Sequence, residues 1–169
     1  MGGFLPKSRP DPEDNCLYCL HIFGDESPER TRPWNSWLFE TNSFVVVPSL
    51  GSFVPGWLLL VSKLHFRRIA ELRLQLIEEL ENLKAKVGQE LRSAFGPYVC
   101  FEHGPVGGVS AAGCCVEHLH LHMVPVSVDL NSRLILNFKP HRIQGFKDLL
   151  APTFRSQPDL PPIFGPVIM

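Results

Sequence analysis

The sequence lacks any run of apolar residues approaching the roughly 18 that a bilayer-spanning helix requires. That absence excludes a transmembrane helix. It also lacks a basic excess: 16 Lys and Arg stand against 17 Asp and Glu, a formal net charge of −1. Nucleic-acid-binding domains normally show a clear positive surplus, so no nucleic-acid partner is expected. The opening residues, Met1-Gly2-Gly3-Phe4-Leu5-Pro6, hold neither a basic nor an apolar segment, and a secretory signal is not expected there. Pro6 stands where N-myristoylation wants Ser or Thr. No internal repeat or low-complexity tract is present. Cysteine is sparse and odd in number: five, with Cys16 and Cys19 in a Cys-x-x-Cys and Cys114 beside Cys115. Such spacing suits a reducing compartment better than a secreted disulfide framework. A cytoplasmic location is expected.

What remains is ordinary for a soluble domain. Hydrophobic residues make up 44% and charged residues 20% of 169 positions, enough for one core and short for two. The many prolines and glycines (16 and 13) imply many loops. Residues 1–13 are Pro-rich and charged and are expected to be flexible. A polar, Pro-containing connection over 21–35 leads to two strands, Trp37–Glu40 and Phe44–Val47, with Thr41-Asn42-Ser43 turning between them. Pro55-Gly56 punctuates the entry to an apolar strand, Trp57–Ser62. From Ile69 to Phe95 the period changes. Ile69, Leu72, Leu76, Leu80, Leu83, Val87, Leu91 and Phe95 recur at three and four, the stripe of an amphipathic helix. Gly96-Pro97 stops it. Tyr98–Phe101 reads as a strand, and 115–124 as its partner. Arg133–Phe138 suits another strand and Phe146–Leu150 a short helical turn. Residues 151–169, with five prolines, read as irregular. Antiparallel strands with one long helix predict an α+β domain.

The richest stretch is 113–125, Gly-Cys-Cys-Val-Glu-His-Leu-His-Leu-His-Met-Val-Pro. Three of the seven histidines fall here, alternating with Leu119, Leu121 and Met123, the period of a half-buried strand. At about 3.3 Å per residue, the imidazoles share one face roughly 6–7 Å apart. His118 and His122 are then some 13 Å from each other, too far to share an ion through bonds of about 2 Å. The triplet must divide its labour. Upstream run Gly104, Gly107, Gly108, Ser110, Ala111, Ala112 and Gly113, a loop whose backbone N–H groups can face an anion at close range. Imidazole beside an anion cradle points to attack on phosphorus; the bland alternative is structural histidines after a glycine turn. The Cys-x-x-Cys has two readings, a redox dithiol or half of a zinc site. No thioredoxin-like strand–helix alternation follows it.

His118-Leu119-His120-Leu121-His122-Met123-Val124 resembles the signature of the histidine triad (HIT) superfamily. Phe101-Glu102-His103-Gly104 and Gly113-Cys114-Cys115-Val116 are similar to its bacterial HIT-like nucleotide hydrolase branch. The similarity covers about residues 14–126, leaving 127–169 as a C-terminal extension expected to pack on or near the active site. The resemblance implies a five-stranded antiparallel sheet with one long helix packed on it, an irregular Pro-rich tail, and a homodimer. It implies a nucleotide hydrolase or nucleotidyltransferase acting on a nucleoside phosphate ester, anhydride or phosphoramidate. His120 would be the nucleophile, a backbone carbonyl holding its other ring nitrogen as N–H. His122 would meet the phosphoryl oxygens, with backbone donors from Gly113, Cys114 and Cys115. In zinc-bearing relatives the metal ligands correspond to Cys16, Cys19, His65 and His118, a closed structural Zn2+ site. Tyr18, Ser49 and Leu50 would line the nucleoside pocket. Here the chain departs from the family: Ser49 stands where an Asp or Asn is usual, Trp57 replaces the His of a Pro-Gly-His motif, and Cys115 replaces a Ser or Thr. Glu102 and His103 would touch substrate or brace the loop, and His21 and His141 would lie on the surface. The rival readings are a nucleotide-binding or scaffold protein without turnover, and a metal-dependent enzyme using the triad as an open metal site.

Overall fold

The computed structural model describes residues 16–23, 32–50, 52–102, 116, 118–127, 144–151 and 163–164. Its elements in chain order are α1 (Leu17–His21), β1 (Phe39–Glu40), β2 (Phe44–Pro48), β3 (Leu58–Ser62), α2 (Leu74–Phe95), β4 (Val99–Glu102), β5 (His120–Val124) and β6 (Ile163–Phe164). The strands form one antiparallel sheet in the order β1-β2-β3-β5-β4-β6. This is the α+β architecture expected: five strands under one long helix, with β6 added at the edge. The tail read as irregular thus contributes a two-residue strand, paired with Phe101 and Glu102.

Alternation along the strands sorts the side chains onto two faces. Phe44, Val46, Leu60, Leu121, Met123 and Cys100 join Leu76, Ile77, Leu80, Leu83, Val87 and Leu91 of α2 in the main core. Val45, Val47, Leu59 and Val61 face the other way, against Ile22, Tyr18, Phe23, Trp37 and Trp57. The helix therefore covers one face and the N-terminal segment covers the other. Gly88, mid-helix, is where Tyr98 lies against α2; any Cβ there would strike the phenol. Glycine costs helix propensity but permits that close approach. Gly96 closes the helix at φ +86, its N–H donating to the Arg92 carbonyl.

The long helix starts later than its apolar spacing predicts. Ile69–Glu71 is a 3-10 turn, and Leu72 and Arg73 are extended before α2 begins at Leu74. A three-residue repeat such as Ile69-Leu72 fits a 3-10 turn as well as an α-helix, which is why periodicity alone merged the two. Phe95, read as the last residue of the stripe, is half exposed and lies over Gly56. The histidine strand is also shorter than 115–124: His118 and Leu119 precede β5, with Leu119 N–H bonded to Phe66 and its carbonyl to Ser62 N–H. Phe146–Leu150 is the expected helical turn. It packs on α2, Phe146 N–H donating to Glu81 and Lys147 pairing with Glu78. That part of the extension lies on the helix side, away from the histidines, whereas β6 lies beside Phe101. Arg133–Phe138, His141 and residues 1–13 fall outside the described residues.

Glu102, at the end of β4, is buried and accepts the Ile69 N–H at 2.8 Å. It braces the 3-10 turn at Ile69; the glycine-rich loop that it was expected to brace lies outside the described residues. Burial pushes its carboxyl up to about 8, against the smaller opposing effect of that hydrogen bond. The folded state then keeps a proton that the unfolded chain sheds above pH 4.5 or so, and stability falls as pH rises from there to about 8. Glu102→Gln keeps the acceptor and removes the charge. Melting curves at pH 5 and pH 8 should show the variant gaining stability over wild type only at the higher pH, by about 1–3 kcal/mol. An unchanged pH slope in the variant contradicts this assignment.

Candidate active site and metal centre

The register between β3 and β5 sets the site. Leu59 lies opposite His122 and Val61 opposite His120, so both imidazoles occupy the face that α2 does not cover. All three triad histidines are buried, at 1%, 6% and 8% exposure for His118, His120 and His122, while Leu119, Leu121 and Met123 fill the main core as the alternation predicts. The rings of His120 and His122 lean together, their centroids 4.9 Å apart, closer than the strand repeat alone suggests.

His118 turns away from its neighbours. Its Nδ1 lies 3.4 Å from Cys16 Sγ and 3.3 Å from Cys19 Sγ, and His65 Nδ1 is 3.3 Å from Cys19 Sγ. The four donor atoms all lie within 4.8 Å of one another, a group that could hold a metal ion. Bond lengths of about 2.3 Å to sulfur and 2.0–2.1 Å to nitrogen place tetrahedral S and N ligands roughly 3.5 Å apart, so the spacing fits. The ring chemistry fits as well. His118 Nε2–H donates to the Ser62 carbonyl at 2.6 Å, which leaves Nδ1 with its lone pair toward the thiols, the arrangement that orients a metal-binding imidazole. Burial, chiefly, pushes the His118 pKa down to about 4, with His65 and His120 adding to the effect, so the ring is neutral at physiological pH. Phe23 stacks on it at 5.8 Å. The convergence of both cysteines on imidazole nitrogens favours metal binding over the redox reading of the Cys-x-x-Cys.

His120 is held by backbone. Its Nδ1 lies 2.7 Å from the His118 carbonyl; a carbonyl only accepts, so Nδ1 carries the hydrogen and Nε2 the lone pair. His122 is held the other way, with the Trp57 indole N–H donating to its Nδ1 at 3.1 Å. Phe101 stacks on His122 with centroids 4.7 Å apart and planes 10° from parallel. Tyr18 meets His120 edge-on at 5.4 Å and His118 at 5.7 Å. Its burial, and less so Cys16, push the phenol up to about 12, keeping it a hydrogen-bond donor.

Of the residues expected at the site, the structure brings together Cys16, Cys19, His65 and His118 in one group, and His120, His122 and Tyr18 beside it. Ser49 N–H donates to the Trp57 carbonyl, and Leu50 is exposed on the same loop. Gly113, Cys114, Cys115 and His103 lie outside the described residues. His21, expected on the surface, is half buried at the end of α1. Ser62, Phe101 and Trp57 were missed as functional residues. Ser62 acts through its carbonyl, which no sequence pattern marks. Phe101 carried a signal as an aromatic on a strand flanking the histidine strand, and Trp57 carried one as a departure from the family pattern.

An antiparallel sheet bearing alternating histidines on its open face, with one helix behind, defines the class. Residues 34–128, more than half of the chain, match the model of the HIT domain. The chain belongs to the HIT family. Solved structures share its fold at low identity. A Streptococcus mutans protein is 22% identical, with a TM-score of 0.54 over 80% of this chain and 79% of that one. A HIT family member from Bacillus subtilis is 18% identical, with a TM-score of 0.53 over 75% and 99%. A HIT family protein from Bacillus anthracis is 20% identical, with a TM-score of 0.52 over 71% and 86%. No curated protein matches the chain significantly. No helix among the described residues is long and apolar enough to cross a membrane.

The Cys/His donor group makes a direct prediction. Metal analysis of the purified protein should find an ion that Cys16→Ala loses. The same substitution should lower the melting temperature by roughly 10 °C or more, because structural sites of this kind contribute on the order of 10 kcal/mol to folding in small domains. An ion retained at full occupancy by Cys16→Ala refutes the assignment.

Proposed function

We propose that the chain is a zinc-stabilised nucleotide hydrolase or nucleotidyltransferase that attacks the α-phosphate of a nucleoside phosphate ester, anhydride or phosphoramidate through His120. The observation that carries this reading is the 2.7 Å bond from His120 Nδ1 to the His118 carbonyl. It gives the ring the tautomer a nucleophile needs, with the lone pair on Nε2. A residue that merely filled space or bound a nucleotide would have no such requirement. The open-metal reading of the triad gains no support, since the four-residue donor group includes His118 and neither His120 nor His122.

In the first displacement, His120 Nε2 attacks phosphorus. The N–P bond forms as the bond to the leaving group breaks, and the leaving group departs with the electron pair and takes a proton from solvent. In the second, water attacks phosphorus and loses a proton to solvent. The N–P bond breaks, the imidazole recovers its lone pair, and the nucleoside monophosphate is released. A second acceptor in place of water makes the same enzyme a transferase. His122, hydrogen-bonded through Nδ1 to Trp57, presents Nε2–H as a donor for a phosphoryl oxygen. Backbone N–H groups of Gly113, Cys114 and Cys115 would add to it, stabilising charge as it develops. Tyr18 would flank the nucleoside side, with Ser49 and Leu50 on the adjoining loop. Cys16, Cys19, His65 and His118 would hold Zn2+, and with four protein ligands its contribution would be to structure. A homodimer, as the resemblance implies, in the cytoplasm, as the cysteine spacing suggests, completes the reading.

Intact-mass spectrometry across a panel of nucleotides and nucleotide conjugates provides the test. Wild type should form a transient nucleotidyl adduct and turn over at least one substrate. His120→Ala should lose the adduct and reduce turnover by about 10⁴-fold or more while still binding nucleotide. Equal turnover by both proteins would end the proposal.

A further inference from the structure

The indole of Trp57 is fixed before it reaches His122. Trp57 sits one residue ahead of β3, its carbonyl accepting the Ser49 N–H at 3.0 Å and its own N–H donating to Val54 at 3.3 Å. Leu59 pairs with His122. Trp57, two residues earlier, therefore shares the face of His122 as a diagonal cross-strand neighbour, within reach of a large side chain. Phe53 packs edge-on against the indole at 5.5 Å. The result is an Nε1–H aimed at His122 Nδ1, 3.1 Å away.

An indole N–H is a donor and nothing else. A histidine that accepts from it at Nδ1 must keep a lone pair there, and its hydrogen must reside on Nε2. His120 is held in the opposite sense, hydrogen on Nδ1 and lone pair on Nε2, by the carbonyl of His118. Two imidazoles with centroids 4.9 Å apart are thus fixed in opposite tautomers by two different kinds of partner. We propose that Trp57 is a positioning residue that locks His122 in the Nε2–H tautomer, so that beside the accepting edge of His120 there always stands a donating one. The inference deepens the proposed phosphoryl chemistry and rests on that reading for its purpose. The tautomer itself is a separate, observable property.

This assignment gives the Phe101 stack a role too. With its plane 10° from that of His122, Phe101 opposes tilting of the ring out of the line between the indole and the site. The apolar ring supplies no hydrogen-bonding atom, so the stack orients the ring without itself selecting a tautomer.

The test uses full-length protein carrying ¹⁵N-labelled histidine, purified with its metal. Long-range ¹H–¹⁵N correlation should show His122 with a protonated Nε2 and an unprotonated Nδ1, and His120 with the reverse. The Trp57 indole proton should be shifted downfield and protected from exchange, a measurement made on wild type without any variant. Trp57→Phe keeps an aromatic ring and removes the donor. In that variant His122 should become a mixture of tautomers while His120 keeps its own. For a substrate found by the nucleotide panel, kcat should fall roughly 10- to 100-fold with KM changed much less. Wild-type protein with hydrogen on His122 Nδ1, or Trp57→Phe with the His122 spectrum unchanged, overturns the proposal. If Trp57→Phe fails to fold, the wild-type spectrum still decides it. Should wild type form no nucleotidyl adduct, the function proposed above fails while the tautomer assignment stands or falls on the spectrum.

Discussion

The carbonyl oxygen of His118 is the atom on which the site turns. The residue serves two purposes with two parts of itself. Its ring joins Cys16, Cys19 and His65 through Nδ1 and is braced by the Ser62 carbonyl through Nε2. Its backbone carbonyl, lying just ahead of β5, holds His120 Nδ1. Fixing the ring fixes the peptide, and the peptide fixes the tautomer of the next histidine. A loosened Cys/His group would thus be felt at His120 through the His118 peptide, so a metal held there would bear on the neighbouring ring through structure.

The sheet makes that arrangement possible by giving its two faces different work. Helix α2 and the Phe146–Leu150 turn cover one face with apolar side chains. The other face carries Val45, Val47, Leu59 and Val61, and the triad is set among them. Polar rings on this face are shielded by Tyr18, Phe23, Trp57 and Phe101. Burial weakens competition from water, so each of the few hydrogen bonds around the imidazoles carries more weight than it would on an exposed strand. The N-terminal segment has no apolar stripe long enough to dock on its own. Its short helix α1 bears Tyr18 and Cys19 and reaches the sheet where His65 and His118 meet it.

Much of this was legible from residue order because period-two alternation has only one physical solution. Leu119, Leu121 and Met123 could not be buried without placing the histidines opposite. The Cys16/Cys19 pair marked half of a donor group, and it was the resemblance to zinc-bearing relatives that pointed to His65 and His118 as the rest. What sequence could not show is where backbone atoms go. The Ser62 carbonyl is invisible to any pattern, and so is the break at Leu72 and Arg73, where Leu72 keeps the spacing of the apolar stripe while the backbone is extended. Trp57 was legible only as a departure from the family. Its meaning appeared once the register placed it two residues before the partner of His122.

The three histidines are held by differing sets of partners, His118 sharing with His120 a bond to a peptide carbonyl. His118 answers to side chains that can exchange protons and could bind metal. His122 answers to an indole, which at any physiological pH donates and never accepts. His120 answers to a peptide carbonyl, which likewise cannot titrate. A side-chain acceptor in that place, a carboxylate for example, would draw a proton toward the ring, favour the imidazolium and quench the lone pair that a nucleophile must offer. A neutral carbonyl secures the tautomer without raising the basicity of the ring to the same degree. For a histidine that attacks, as proposed for His120, rather than merely shuttles a proton, backbone is the better partner, and the chain just ahead of β5 at His118 supplies it.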